Sequence, residues 1–301
     1  MGVTPAVRPF DVALAGRDLT RIADLVAAEA EAILDLAVEL KRDPQPLAPR
    51  KTLGLYFTKH STRTRASFAV AMTQLGGTSL PLQAEEMQLS RGESLEDTAR
   101  VLSGYLDAIA IRTGPQAEVE SWADAASIPV INALTDEEHP CQALADALTI
   151  RERLGGTDGA RIAWVGDGSN VCVSLGRLAP LLGMEMVVGA PPGYEPAVEG
   201  VEVTRDAREA AAGADVLVTD TWISMGQEDE RETRLRDLEP YRLTRELLAL
   251  AAPGAIVLHC LPAHPDEEIE ADVLYGPRSA VWDEADNRLH TQRALLALLL
   301  E

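Results

Sequence analysis

Five residues in succession, Ser61, Thr62, Arg63, Thr64 and Arg65, place hydroxyls and guanidiniums just beyond the apolar run Leu53-Gly54-Leu55-Tyr56-Phe57, after Thr58-Lys59-His60. This is chemistry suited to a phosphate. Hydroxyl and backbone N–H groups donate to its oxygens, and arginine forks add charge and bidentate geometry. A helical stretch follows, so the group stands where a helix begins. Ser61 is expected as the N-cap, with the first-turn N–H groups facing outward at the positive end of the helix dipole. The Gly-rich Lys-Ser/Thr pattern of a Walker loop is missing. An ordinary capped helix with solvated arginines is the alternative reading.

The charge distribution bears on the same segment. The chain has 301 residues, 27 Lys+Arg against 48 Asp+Glu, and a net charge of −21. From Pro44 to Ala84 there is no Asp or Glu, while Arg50, Lys51, Lys59, Arg63 and Arg65 all fall there. Such a gap suits a small-anion site, although chance and a buried apolar helix would also produce it. The acid elsewhere argues against nucleic-acid or anionic-membrane binding, both of which need a positive field. A chain that is 46% hydrophobic and 25% charged is globular. Three widely spaced cysteines, Cys141, Cys172 and Cys260, argue against a disulfide framework and a paired-cysteine zinc site. Phe10 to Leu25 is broken by charges and no long apolar run exists. A cytoplasmic protein is therefore expected, with no membrane or nucleic-acid partner and no metal.

Short β-branched-rich runs alternate with segments of helical period, which predicts βα units around parallel sheets. Strands are expected at Thr52–Phe57, Thr78–Leu82, Ala108–Ile111, Pro129–Asn132, Ile162–Val165, Glu185–Gly189, Val216–Thr219 and Ile256–His259. Helices are expected at Leu19–Leu40, Thr62–Leu75, Leu95–Gly104, Ala117–Ala125, Cys141–Leu154, Val171–Leu182, Ala207–Ala212, Leu243–Ala252 and Arg288–Leu300. The expected class is α/β, two stacked domains, each a parallel-sheet three-layer α/β unit. The first spans residues 1–147 and the second 148–285, with a C-terminal helix of about 286–301 packing back on the first. In such sheets ligands sit beyond the carboxyl ends of the strands.

Several further groups stand at those ends. Arg112 follows the third strand, and His139-Pro140-Cys141-Gln142 opens a helix. Gly166-Asp167-Gly168-Ser169-Asn170, Asp220-Thr221-Trp222-Ile223-Ser224-Met225-Gly226 and His259-Cys260-Leu261-Pro262 each follow a strand of the second half. Taken singly, Arg112 is a surface charge, His139 a helix-start histidine, Asp220 a turn carboxylate and Cys260 a small buried hydrophobe. Gly166 and Gly168 invite a dinucleotide-binding reading, but the third glycine of that fingerprint would fall at Val171.

Together and in this order the motifs resemble the aspartate/ornithine carbamoyltransferase family. Ser61-Thr62-Arg63-Thr64-Arg65 is similar to its carbamoyl-phosphate loop, and His139-Pro140-Cys141-Gln142 to its His-Pro-x-Gln motif. Ser224-Met225-Gly226 and His259-Cys260-Leu261-Pro262 resemble the ornithine-using branch; aspartate-using members usually carry His-Pro-Leu-Pro in the latter place. The resemblance covers essentially the whole chain. It implies transfer of the carbamoyl group of carbamoyl phosphate to the δ-amino group of L-ornithine, giving L-citrulline and phosphate without a cofactor.

By the same resemblance, carbamoyl phosphate is held by Ser61, Thr62, Arg63, Thr64, Gln88, Arg112, His139, Gln142, Cys260, Leu261 and Arg288. Ornithine is held by Asn170, Asp220, Ser224 and Met225. Arg112, His139, Cys260 and Asp220 are the expected catalytic residues, with Thr64 also stabilising the tetrahedral intermediate. A homotrimer or multiple of trimers is implied, Gln88 coming from a neighbouring subunit. An α-amino acid needs an anion for its ammonium and a neutral or positive partner for its carboxylate, types that Asp220 and Asn170 supply. Ser224–Gly226, beside the polar run Gln227–Glu232, is expected to form a mobile lid. Other acceptors (putrescine, N-acetylornithine, aspartate), a nicotinamide-dependent dehydrogenase and a non-catalytic relative are the competing readings.

Overall fold

A computed structural model describes residues 12–223 and 228–301. The chain divides into two units, one of residues up to Leu144 together with Arg288–Glu301, the other of Ala145–Asn287.

Unit 1 is built on a parallel sheet of order β2-β1-β3-β4, comprising β1 (Thr52–Phe57), β2 (Thr78–Gln83), β3 (Ala108–Arg112) and β4 (Val130–Leu134). Its helices are α1 (Ala27–Arg42), α2 (Arg63–Gln74), α3 (Leu95–Ser103) and α4 (Gln116–Ala125), with the first part of α5 (Pro140–Leu154). Side chains alternate across the sheet. Tyr56, Ile109, Ile111 and Val130 pack with Ala99, Val119 and Trp122 of α3 and α4, while Leu53, Leu55, Phe57 and Ala110 are buried on the opposite face. β2 is an edge strand, half-exposed and carrying Pro81, which such a position tolerates.

Unit 2 has a five-stranded parallel sheet of order β7-β6-β5-β8-β9. Its strands are β5 (Arg161–Val165), β6 (Glu185–Gly189), β7 (Glu202–Thr204), β8 (Val216–Val218) and β9 (Ile256–Leu258). The rest of α5 belongs here, with α6 (Asn170–Leu181), α7 (Ala207–Ala211), α8 (Arg231–Leu238), α9 (Arg245–Leu248) and α10 (Ala271–Leu274). Ala163, Val165, Leu217 and Val257 pack against Ala210, Leu247, Leu248, Val273 and Val281 on one face. Ile162, Trp164, Val216 and Leu258 are buried on the other. The last helix, α11 (Val281–Leu299), starts in unit 2 and ends in unit 1.

Several segments differ from the sequence reading. The first long helix begins at Ala27, not Leu19, because Leu19 joins the edge of β4, accepting from Asn132 N–H at 2.8 Å and donating to the Val130 carbonyl at 2.9 Å. The Asp24 carboxylate then closes a turn by accepting the N–H groups of Thr20 and Arg21. The last helix begins at Val281, seven residues before the expected start. Finally, the polar run after residue 227 is helical, at Glu228–Glu230 and through α8, because Arg234 and Leu238 turn one face inward. Ser224, Met225 and Gly226, the core of the expected lid, lie outside the described residues.

Candidate active site

β1 delivers the phosphate-type segment to the carboxyl end of its sheet. α2 starts at Arg63, and Thr62, not Ser61, occupies the N-cap with helical backbone angles (φ −85, ψ −55) and no side-chain cap. The Ser61 expectation fails because the helix starts one residue too late for it. The turn thus keeps its first N–H groups without a side-chain acceptor of its own, at the positive end of the dipole. Thr62 and Arg63 are exposed and Ser61 is half-buried. Arg65 lies over the Phe57 ring, 5.4 Å from its centroid, a packing arrangement the sequence did not distinguish from an anion contact.

Thr64, His139, Gln142 and Arg288 come together in the interior of unit 1. Arg288 Nη1 donates to Gln142 Oε1 at 2.6 Å and lies 3.3 Å from His139 Nε2. Its Nη2 donates to Thr64 Oγ1 at 3.3 Å. All four residues are buried. A guanidinium only donates, so His139 Nε2 acts as the acceptor there and the ring is neutral. Burial pushes the His139 pKa well below its usual value, and the nearby charges of Arg288 and Arg112 push it further.

Arg112 closes β3 at a register shift, pairing with Leu134 after Ile111 pairs with Asn132. Such an irregularity re-aims a side chain at a strand end. Gln88 is exposed in the 3-10 turn Gln88–Arg91.

In unit 2 three segments meet at Asp220. Its Oδ1 accepts Thr221 N–H at 2.7 Å and the Cys260 thiol at 2.9 Å, and its Oδ2 accepts Ser169 Oγ–H at 3.0 Å. Burial pushes the Cys260 thiol well above its usual pKa, and the facing Asp220 carboxylate adds to the shift. The thiol therefore stays protonated and is the donor in this pair. Asn170 is the first residue of α6, and its Oδ1 accepts Val171 N–H at 2.9 Å.

The turn before Asn170 is held by close packing. A Cβ on Gly168 would stand 2.3 Å from the Pro196 nitrogen, so only glycine fits. This explains the glycine without a nucleotide.

Leu261, in the left-handed region at φ 55, donates its N–H to His259 Nδ1 at 3.0 Å. That bond leaves the proton on His259 Nε2, 3.2 Å from Glu268 Oε1. Ser224 and Met225, expected at ornithine, lie outside the described residues.

Supporting residues that the sequence reading passed over are Ser169, Asp167, Arg234 and Glu268. Buried Arg234 pairs with Asp167, donates from Nε to the Trp222 carbonyl at 2.6 Å and lies over the Tyr194 ring. Burial raises the Asp167 pKa to about 6, with Asp220 adding to the rise and Arg234 opposing it. Arg234 sits in a run of alternating charges, where nothing marks one arginine as buried.

Residues 17–152 match the family model described as aspartate/ornithine carbamoyltransferase, carbamoyl-P binding domain. Residues 158–299 match the aspartate/ornithine carbamoyltransferase Asp/Orn binding domain. The chain is 54% identical over 300 residues to a Thermosynechococcus vestitus protein named ornithine carbamoyltransferase, covering 95% of this chain and 97% of that one. The structure of ornithine carbamoyltransferase from Pyrococcus furiosus superimposes with a TM-score of 0.92 at 45% identity, covering 96% of this chain and 98% of that one. That from Gloeobacter violaceus gives 0.86 at 47% identity, covering 95% and 99%. Over nearly its whole length, then, the chain belongs to the aspartate/ornithine carbamoyltransferase family.

Proposed function

We propose that the protein transfers the carbamoyl group of carbamoyl phosphate to the δ-amine of L-ornithine, giving L-citrulline and phosphate. The observation that carries this reading is the convergence of Thr64, His139, Gln142 and Arg288 in unit 1. A buried, positively charged set of that kind suits a carbonyl oxygen about to become an anion. Ornithine as acceptor is supported by the names of relatives that match along nearly the whole chain, and by the carboxylate of Asp220.

The phosphate would rest on Ser61, Thr62, Arg63, Thr64 and the start of α2. The carbonyl oxygen would meet Thr64, Arg112, His139 and Arg288. Gln142, whose Oε1 accepts from Arg288, would stand near the carbamoyl NH₂. Cys260 and Leu261 are further carbamoyl-phosphate contacts on the family resemblance alone. Asp220 would take the α-ammonium of ornithine and Asn170 its carboxylate.

The neutral δ-amine forms a bond to the carbonyl carbon, the C=O electrons move to oxygen, and the bond to phosphate then breaks as the carbonyl re-forms. The amine gives up its proton to the departing phosphate, which leaves as hydrogen phosphate. Because Cys260 keeps its own proton at neutral pH, the thiol orients Asp220 and does not act as the base. The rate rises into the alkaline range as the free amine becomes more abundant.

The working assembly is proposed to be a homotrimer or a multiple of trimers in the cytoplasm. Exposed Val70, Leu80, Val101 and Tyr105 in unit 1 support an association surface, and exposed Gln88 would serve a neighbouring subunit's site. No helix among the described residues is long and apolar enough to cross a membrane. Incubation with carbamoyl phosphate and L-ornithine tests the activity: citrulline and phosphate should form in equal amounts. Phosphate release without citrulline would reject it.

A further inference from the structure

His139 is brought to Arg288 by the turn that precedes α5, and this turn is fastened along its length. Thr135 N–H donates to the Glu138 carbonyl at 2.9 Å, and Glu138 N–H donates back to Thr135 Oγ1 at 3.1 Å. Asp136 N–H donates to the Gly114 carbonyl at 2.8 Å. The Glu138 carboxylate accepts Ile22 N–H at 2.9 Å. His139 then opens the helix, its carbonyl accepting Gln142 N–H at 3.0 Å.

The Thr135 hydroxyl is central to this arrangement. It has one proton, which goes to Gln116 Oε1 at 2.7 Å, while its oxygen accepts from Glu138. Gln116 is the first residue of α4, and its Nε2 donates to the Thr20 carbonyl at 3.1 Å. Asn132 Nδ2 donates to the same carbonyl at 2.9 Å. Thr135, Gln116, Asn132 and Glu138 are all buried. Thr20 follows Leu19, which joins the edge of β4, and Asp18 Oδ1 adds a bond from Val130 N–H at 2.7 Å. One directed series of bonds thus runs from the Thr20 carbonyl through Gln116 and Thr135 to the residue before His139.

A buried donor or acceptor that loses its partner carries an uncompensated desolvation cost, so such a series favours one arrangement of the turn. That arrangement sets His139 Nε2 3.3 Å from Arg288 Nη1. A catalytic group misplaced by about 1 Å can lose about 100-fold in rate, so the fastening of this turn bears on the chemistry.

We propose that Thr135 and Gln116 are positioning residues for His139 in carbamoyl transfer, fixing its ring against Arg288 by tying the turn before α5 to the segment at residues 18–24. This role rests on the function proposed above. Both side chains act through the backbone of the turn and not on the substrate. Thr135 sets where residue 138 ends, and Gln116 fixes Thr135 against the Thr20 carbonyl.

Three variants and one spectrum test this. Thr135→Val replaces the hydroxyl by a methyl group and should lower kcat by about tenfold or more, with KM for ornithine within about twofold. Thr135→Ser keeps the hydroxyl and should recover most of that loss. Gln116→Met, similar in volume to glutamine, should lower kcat in the same way. Combining Thr135→Val with Gln116→Met should cost little more than the worse single change, because both break one series. In the unliganded protein the NMR signals of the His139 ring should move in Thr135→Val and return in Thr135→Ser. A Val variant with wild-type kcat, a Ser variant as slow as Val, or an unmoved ring would overturn the proposal. If Thr135→Val does not fold, Gln116→Met decides alone, and wild-type kcat with unmoved ring signals overturns the proposal. The ring signals need no turnover, so a wild-type protein that makes no citrulline would sink the parent reading while they still decide whether Thr135 positions His139.

Discussion

Arg288 donates from Nη1 to Gln142 Oε1 at 2.6 Å, joining the last helix of the chain to the helix that opens at His139-Pro140. The same guanidinium reaches His139 and Thr64, so one side chain organises three segments that are far apart in sequence. Its position depends on α11 beginning at Val281, well before residue 288.

Replacing that fork is expected to damage the chemical step. Arg288→Ala removes a buried donor facing the proposed oxyanion and should lower kcat by roughly 100- to 1,000-fold. Arg288→Lys should not restore it, because one ammonium does not reproduce a planar fork reaching Gln142 and Thr64 together. Steady-state kinetics of the two variants check this, and a fully active Lys variant would refute the geometric argument.

Arg63 is exposed at the first position of α2, so its loss should spare the fold and weaken carbamoyl-phosphate binding. A charge-assisted hydrogen bond contributes about 1.5–3 kcal/mol, or roughly 10- to 100-fold in Kd by calorimetric titration of Arg63→Ala. If Gln88 serves a neighbouring site, co-expressing Arg63→Ala with Gln88→Ala subunits should recover activity that neither has alone. Such mixing builds some sites with both residues intact; no recovery would argue against a shared site.

His139 is expected to stay neutral through the physiological range, since its pKa is depressed by burial and by Arg288 and Arg112. The unfolded histidine takes a proton near 6.5 and the folded one does not, so stability is lost as pH falls below that value. NMR of the His139 ring should show no imidazolium between about pH 8 and pH 6. His139→Asn should flatten the fall in stability below about pH 6.5, and an unchanged fall would contradict the assignment.

Much of this was legible beforehand because strand ends and phosphate chemistry leave local marks. Thr52–Phe57 and Glu185–Gly189 are each apolar after their first residue, and their bounds match β1 and β6. The Ser61–Arg65 group was singled out by residue type alone. What escaped was set by distant partners. Leu19 leaves the helical pattern because β4 offers a backbone partner more than a hundred residues away, and β7 is too short and polar to stand out. Arg234 and Glu268 become supports only through Asp167 and His259, which no spacing rule connects to them.

Buried Arg234 pairs with the partly buried Asp167 behind the turn that carries Asn170, and breaking the pair should be costly. Arg234→Leu strands the Asp167 carboxyl and the Trp222 carbonyl, with an expected loss of about 3–5 kcal/mol in urea unfolding. Adding Asp167→Asn should recover part of that loss, because the stranded charge is removed. A double variant no better than Arg234→Leu would mean the pair is not coupled.

The acceptor decides the central claim. With carbamoyl phosphate saturating, kcat/KM should be measured for L-ornithine, putrescine, N-acetylornithine and L-aspartate, with carbamoylated product quantified in each case. Ornithine offers both a free α-ammonium for Asp220 and an α-carboxylate for Asn170; each rival lacks one of these or the δ-amine. The account predicts citrulline from ornithine, with every rival lower by roughly 100-fold or more. A rival used as well as ornithine, or no citrulline at all, would contradict it.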